Sequence, residues 1–111
     1  MTTIALPDTL RLNMPAEALA AICRKYGVAE LSVFGSVLRD DFGPGSDVDF
    51  LVVFKRHDAG PWLAKYQEME EELARLLGRR VEVVSRRAVE QSRNYLRRNS
   101  ILSSARVLYA E

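Results

Sequence analysis

The sequence predicts an α/β fold, with a small three-stranded mixed sheet flanked by helices in the order α-β-α-β-α-β-α. Three observations support this prediction. Short segments rich in Val, Leu and Phe have the composition of strands. Around them, apolar residues recur at intervals of three and four, which is the spacing of an amphipathic helix. Pro and Gly occur where the predicted helices begin and end.

The elements can be placed along the chain from these signals. Residues 1–13 show no clear period and are predicted as an extended arm or loop. Gly43, Pro44 and Gly45 break the chain between two elements in the middle. The predicted elements are a helix between Pro15 and Gly27, a strand Leu31–Phe34, a short helix from Ser36 to about Phe42, a strand Asp47–Phe54, a helix between Pro61 and Gly78, a strand Arg80–Ser85, a short helix over 86–94 and a last amphipathic helix from about Ser100 to Tyr109.

The composition predicts one soluble globular domain spanning residues 1–111. Hydrophobic residues make up 48% of the chain and charged residues 28%, and no apolar run reaches the roughly 20 residues of a membrane span. The N-terminus carries no secretory pattern, and the single cysteine excludes an internal disulfide, so we expect a cytoplasmic protein. We expect Cys23 to be a buried structural thiol. His57, the only histidine, has no partner at metal-ligand spacing.

Positive charge is concentrated in the C-terminal third. Residues 79–106 contain eight arginines and only two acidic residues, although the whole chain has a net charge of +1. Such a segment could face nucleic acid, an acidic partner or the phosphates of a nucleotide, or it could be a solvated helix face. Aromatic residues are too sparse there for a platform that stacks single-stranded nucleic acid.

Two carboxylates open the second predicted strand. Side chains alternate along a strand, so Asp47 and Asp49 project to one face while Val48 and Phe50 project to the other. Two acids side by side repel each other, and a divalent cation removes that repulsion. A strand entrance with two solvated acids is the alternative interpretation.

A glycine-serine pair follows the first predicted strand. Gly35 allows a sharp turn and close approach of a ligand to the backbone, and a helix starting at Ser36 would direct free N–H groups at an anion. Arg39 adds a guanidinium suited to phosphate oxygens, unless it pairs with Asp40 or Asp41 instead. An anion cradle beside an acid pair is typical of a nucleoside triphosphate site, where catalysis is mostly positioning and charge neutralisation.

These motifs resemble a known family. The pattern Gly35-Ser36-x-x-Arg39 followed by Ser46-Asp47-x-Asp49 is similar to the signature of the DNA polymerase β-like nucleotidyltransferase superfamily. Within it, the short chain resembles the minimal nucleotidyltransferase (MNT) antitoxins that pair with HEPN-domain toxins. The segment from Tyr95 to Tyr109 is similar to the closing helix of those proteins.

The resemblance implies a mechanism and a partner. Asp47 and Asp49 would hold Mg²⁺, in a two-metal site, and a third carboxylate on a neighbouring strand would help to activate the attacking hydroxyl. Glu82 is the candidate for that position, where the family usually has aspartate. Gly35, Ser36 and Arg39 would bind the phosphates of ATP. The acceptor of AMP would be a hydroxyl, expected to be a tyrosine, on a cognate HEPN RNase toxin, and no nucleic-acid template is expected.

Two other functions stay open at this point. The protein could be an antitoxin that blocks its partner by contact alone, since Glu82 and Asp40 both depart from the family pattern. It could also be a dimeric nucleotidyltransferase that modifies a small molecule bound between subunits. For Glu82, the alternative interpretation is an acid at a strand edge that pairs with Arg79 or Arg80.

Overall fold

A mixed sheet forms the centre of the molecule. The computed structural model describes residues 3–4, 6, 10, 12–55 and 62–111, so His57, Pro61 and much of the predicted N-terminal arm lie outside the described residues. The strands are β1 (Thr3–Ile4), β2 (Val28–Phe34), β3 (Val48–Phe54), β4 (Val81–Ser85) and β5 (Arg106–Ala110). Their order across the sheet is β1-β5-β2-β3-β4. Strands β3 and β4 are parallel, and the other neighbours are antiparallel.

Four helices and one tight turn connect the strands. The helices are α1 (Ala16–Lys25), α2 (Trp62–Leu77), α3 (Arg86–Glu90) and α4 (Tyr95–Ser104), and a 3₁₀ turn covers Gly35–Leu38. Side-chain caps fix where the last two helices begin. The hydroxyl of Ser85 accepts a hydrogen bond from the backbone N–H of Ala88, and the side chain of Asn94 accepts one from the backbone N–H of Arg97.

The helices pack on both faces of the sheet. On one face, α1 and α2 cover the main core, in which Phe50 of β3 and Met69 of α2 are fully buried. On the other face, α3 and α4 cover a smaller cluster formed by Phe34, Leu51, Val89 and Ile101. The alternation along β3 sends neighbouring residues to opposite cores, which explains why this strand is apolar nearly throughout.

The buried thiol agrees with the sequence prediction. Cys23 lies fully inside the main core, and burial raises the pKa of its thiol to about 12. A thiol with so high a pKa is protonated at neutral pH and is a poor nucleophile. Its role is therefore packing.

The predicted α/β class and the mixed sheet flanked by helices are confirmed, but the predicted number of strands is wrong. The sheet has four full strands, β2 to β5, and the two-residue strand β1 extends one edge. The strand that the sequence analysis missed is β5, which lies between β1 and β2. Without β5, one edge of β2 would leave its backbone donors and acceptors without partners.

The C-terminal half of the predicted last helix is wrong, because this segment forms the missed strand β5. Its apolar residues have helical spacing, but α4 ends at Ser104 and Ala105 adopts extended backbone angles. The chain then pairs with β2, with Tyr109 opposite Leu31. Two other predicted helices are shorter than expected: the segment from Ser36 is the four-residue 3₁₀ turn, and the helix over 86–94 ends at Glu90.

The buried side of β5 should carry a large part of the stability. Leu108 is 1% exposed, whereas its neighbour Val107 is 46% exposed. Leu108→Ala should lower the free energy of unfolding by about 2–5 kcal/mol, because it removes buried methyl groups and leaves a cavity. Val107→Ala is the matched control and should change it by less than about 0.5 kcal/mol. Urea unfolding measures both, and equal losses would contradict the position of β5.

Candidate functional site

The glycine-serine turn lies directly against a carboxylate of β3. Gly35 follows the last residue of β2 and has a φ of +81°. A Cβ atom at this position would come within 2.7 Å of Oδ2 of Asp49. Both the backbone angle and the close contact therefore require glycine. The hydroxyl of Ser36 donates a hydrogen bond to the backbone carbonyl of Asp47, with 3.4 Å between the oxygens, and so connects the turn to the start of β3.

Three carboxylates meet at this end of the sheet. Asp49 pairs with Phe34 of β2 on one side and with Glu82 of β4 on the other. Asp47 precedes β3 and, by alternation, projects to the same face as Asp49. Adjacent strands are about 4.8 Å apart, so the register places Asp49 and Glu82 side by side. The structure therefore brings together all three acids that the sequence analysis selected.

The electrostatics of Asp49 reflect this crowding. The pKa of its carboxyl is raised to about 6, first by burial and then by the negative charges of Glu82 and Asp47. The positive charges of Arg39 and Arg97 oppose the shift without cancelling it. An aspartate with a raised pKa among other acids resists ionisation, and a bound cation would relieve that cost.

The carboxylates suit a hard divalent cation such as Mg²⁺, which prefers oxygen ligands. In their present rotamers, no three acidic, histidine or cysteine side chains among the described residues converge on one centre. Asp47, Asp49 and Glu82 nevertheless supply only carboxylate oxygens, which is the ligand chemistry of magnesium. The set of donors therefore fits magnesium.

The arginines near the site contact different groups. Arg39 donates from Nε to Oδ1 of Asp41 at 3.1 Å, so the predicted surface pair forms while Arg39 also lines the pocket beside the turn. Arg79 donates to the backbone carbonyls of Gly43 and Ser46 and holds the loop before β3. It therefore makes no pair with Glu82.

Arg80 approaches a different acid from the one considered in the sequence analysis. Its Nε lies 4.0 Å from Oδ1 of Asp47, and its side chain is 84% exposed. Neither of the two arginines proposed as partners of Glu82 is directed at it. Glu82 itself is exposed beside Asp49, and its carboxylate adds negative charge to the site.

The pocket includes residues of α4 that the sequence analysis missed, among them the charged Arg97. An open pocket of about 290 Å³ lies between the glycine-serine turn and α4, and its charged lining residues are Arg39, Asp49 and Arg97. Ser100 and Ser104 of α4 complete its polar wall. The excess of arginine after residue 79 was the available signal, but it did not distinguish Arg97 from its neighbours.

The comparison with protein families identifies the class. The family described as "Nucleotidyltransferase domain" matches residues 16–108 of the chain. The chain therefore belongs to the nucleotidyltransferase domain family, and the resemblance found in its motifs is confirmed.

The chain is similar to one group within that family. Protein adenylyltransferase MntA of Thermococcus cleftensis is 42% identical over 66 residues, which are 60% of this chain and 64% of the relative. The chain thus spans about 64% of the length of that curated relative. A solved structure assigned as a minimal nucleotidyltransferase is 34% identical, with a TM-score of 0.62, and the match covers 82% of this chain and 86% of the other.

A further structural match shares the fold at low identity. It is a complex of a tri-AMPylated Shewanella oneidensis HEPN toxin with an MNT antitoxin, in which the matched chain is 17% identical with a TM-score of 0.57. The match covers 86% of this chain and 70% of that chain.

In the described part of the chain, no helix is long and apolar enough to cross a membrane.

The contact between Gly35 and Asp49 predicts a strong effect of adding one methyl group. Gly35→Ala should lower the free energy of unfolding by at least about 1 kcal/mol, because alanine disfavours a positive φ and its Cβ would displace the carboxylate. Gly43→Ala is the control, since no atom lies within 4 Å of its Cβ position and its φ is not positive. Urea unfolding of both variants checks this, and equal stability would show that the turn tolerates a side chain.

The raised pKa of Asp49 predicts a pH dependence of stability in metal-free buffer. An unfolded aspartate titrates near pH 3.9, so between about pH 4 and about pH 6 the folded state binds more protons than the unfolded state. The protonated carboxyl of Asp49 thus contributes its full stabilisation of the folded state below about pH 4, and this contribution is lost as the pH rises through about 6. Asp49→Asn should lack this loss and be more stable than the natural chain by about 1 kcal/mol at pH 7, allowing for solvent screening.

Thermal or urea unfolding across this pH range, with a chelator present, measures the effect. Added Mg²⁺ should restore the stability of the natural chain at pH 7 and leave Asp49→Asn unchanged. Parallel pH profiles for the two proteins would contradict the crowding of charge at Asp49.

Proposed function

We propose that the chain is a Mg²⁺-dependent nucleotidyltransferase antitoxin that transfers AMP from ATP to a hydroxyl group of a cognate HEPN toxin. The observation that carries this proposal is that Asp49, with the charges of Asp47 and Glu82 acting on it, lines an open pocket together with the turn at Gly35 and Ser36. Three acids next to a turn that can receive an anion form a site for a metal-bound nucleotide.

The chemistry needs few groups. The acceptor oxygen attacks the α-phosphorus of ATP, the bond between that phosphorus and the oxygen bridging to the β-phosphate breaks, and pyrophosphate leaves. In this proposal Glu82 accepts the proton of the attacking hydroxyl, while Gly35, Ser36 and Arg39 hold the phosphates. Magnesium bound by Asp47 and Asp49, with Glu82 at the second ion of a two-metal site, would neutralise the negative charge that develops on transfer.

The relatives support the nature of the acceptor. The similar Thermococcus protein is described as a protein adenylyltransferase, and one structural match contains a tri-AMPylated HEPN toxin. We therefore propose that a HEPN RNase is the partner and that one of its tyrosines receives AMP. We further propose that residues 1–111 act as one minimal nucleotidyltransferase domain in the cytoplasm, without a template nucleic acid.

The central test is Asp49→Asn. With ATP, Mg²⁺ and the product of a neighbouring gene as candidate toxin, intact mass should show addition of one or more AMP units to the toxin. Asp49→Asn should reduce the rate at least about 100-fold, because it removes a metal ligand without changing side-chain volume. Glu71→Gln, an exposed acid on α2, is the matched control and should transfer AMP normally.

The outcomes separate the candidate functions. Transfer by Asp49→Asn at the natural rate would contradict the proposed site. A stable complex that silences the toxin with no added AMP would indicate an antitoxin that acts by binding alone. Transfer to a small hydroxylated compound without any protein partner would indicate the dimeric small-molecule enzyme instead.

A further inference from the structure

Arg97 is an exposed cation at the pocket of the candidate site. Its side chain lines the pocket together with Gly35, Ser36 and Asp49. Among the described residues, the guanidinium makes no hydrogen bond and no ion pair, although its backbone N–H is used by the helix cap.

Three other arginines of the C-terminal region are already engaged, whereas Arg87 and Arg93 lie outside the residues that line this pocket. Arg98, the next residue, donates to the backbone carbonyl of Ser92, and Arg106 donates to the carbonyls of Ser104 and Ala105. Arg86 pairs with Glu30 and Glu90. A guanidinium has five N–H donors and is always charged, so one that faces a pocket with all of its side-chain donors free is suited to an anionic ligand.

Three of the four residues that α4 contributes to the pocket are polar. Arg97, Ser100 and Ser104 lie at helical spacing and share one face. Ile101 makes the contact with the smaller core. Ile101 also lines the pocket, so α4 packs against the core and presents Arg97 and the two serines from the same face. The hydroxyl of Ser104 is used within the helix, where it donates to the backbone carbonyls of Ser100 and Ile101.

We propose that Arg97 binds the phosphates of the nucleotide, from the wall of the pocket opposite the turn at Gly35 and Ser36. This inference rests on the proposed function and adds a phosphate ligand that the sequence motifs do not contain. The nucleotide would be held between two structures that are far apart in the chain, the turn after β2 and the helix before β5. Arg97 would contact phosphate oxygens directly, through its planar guanidinium group.

Binding measurements on the chain alone test this inference without any toxin. The probes are Mg²⁺ with AMP-PNP, an ATP analogue whose β–γ bridge resists hydrolysis, and Mg²⁺ with inorganic tripolyphosphate, measured by calorimetry. No acceptor protein is present, so binding is measured without transfer of AMP. Arg97→Ala should weaken both by about 10- to 100-fold, the range for a lost charge-assisted hydrogen-bonded pair. Arg97→Lys should recover part of the affinity, because it keeps the charge and loses the planar fork.

Arg93→Ala is the matched control. Arg93 is exposed just before α4 and lies outside the residues that line the pocket. Replacing it with alanine removes the same charge as Arg97→Ala does. It should change either affinity by less than about twofold, since an exposed distant charge is screened by salt. Unfolding of each variant in urea verifies that the fold is kept.

Each outcome decides between the two proposals. If the natural chain binds both probes and Arg97→Ala binds them equally well, the inference about Arg97 is wrong and the proposed function stands. If Arg97→Ala loses affinity for AMP-PNP but not for tripolyphosphate, Arg97 contacts the nucleoside and the phosphate assignment is wrong. If the natural chain binds neither probe, both the inference and the proposed function fail.

Discussion

The structure depends on holding three negative charges together at one end of a sheet. The register of β3 against β4 fixes Asp49 beside Glu82, and strand alternation adds Asp47 on the same face. Burial of Asp49, together with the negative charges of Glu82 and Asp47, raises the pKa of its carboxyl and so makes its ionised form costly in the folded state. The register must therefore be stabilised elsewhere, by the apolar contacts that β3 makes on both of its faces.

Strand β3 contributes both to the core and to the charged site, because its alternate residues project to opposite faces of the sheet. Val48 and Phe50 are fully buried in the main core, while Asp49 between them faces the pocket. A shift of one residue in the register would bury the acids and expose the apolar side chains, at a large cost in free energy. The hydrophobic core thus determines the geometry of the charged site.

The groups proposed to bind phosphate come from two separate parts of the chain. Gly35 and Ser36 approach from the end of β2, where a side chain larger than hydrogen would strike Asp49. Arg97 approaches from α4, which Ile101 fixes to the smaller core. Because α4 leads directly into β5, the segment that closes the pocket also completes the sheet beside β2.

The sequence alone predicted the acid pair, the glycine-serine turn, the candidate Glu82 and the α/β class, because each rests on short-range spacing. Helix α2 and strands β2, β3 and β4 are also encoded by local periodicity. The tertiary structure decided β5, whose apolar spacing also fits a helix, because only pairing with distant β2 favours extended backbone. It likewise distinguished Arg97 from the other arginines, since the side of α4 that faces the pocket is set by packing.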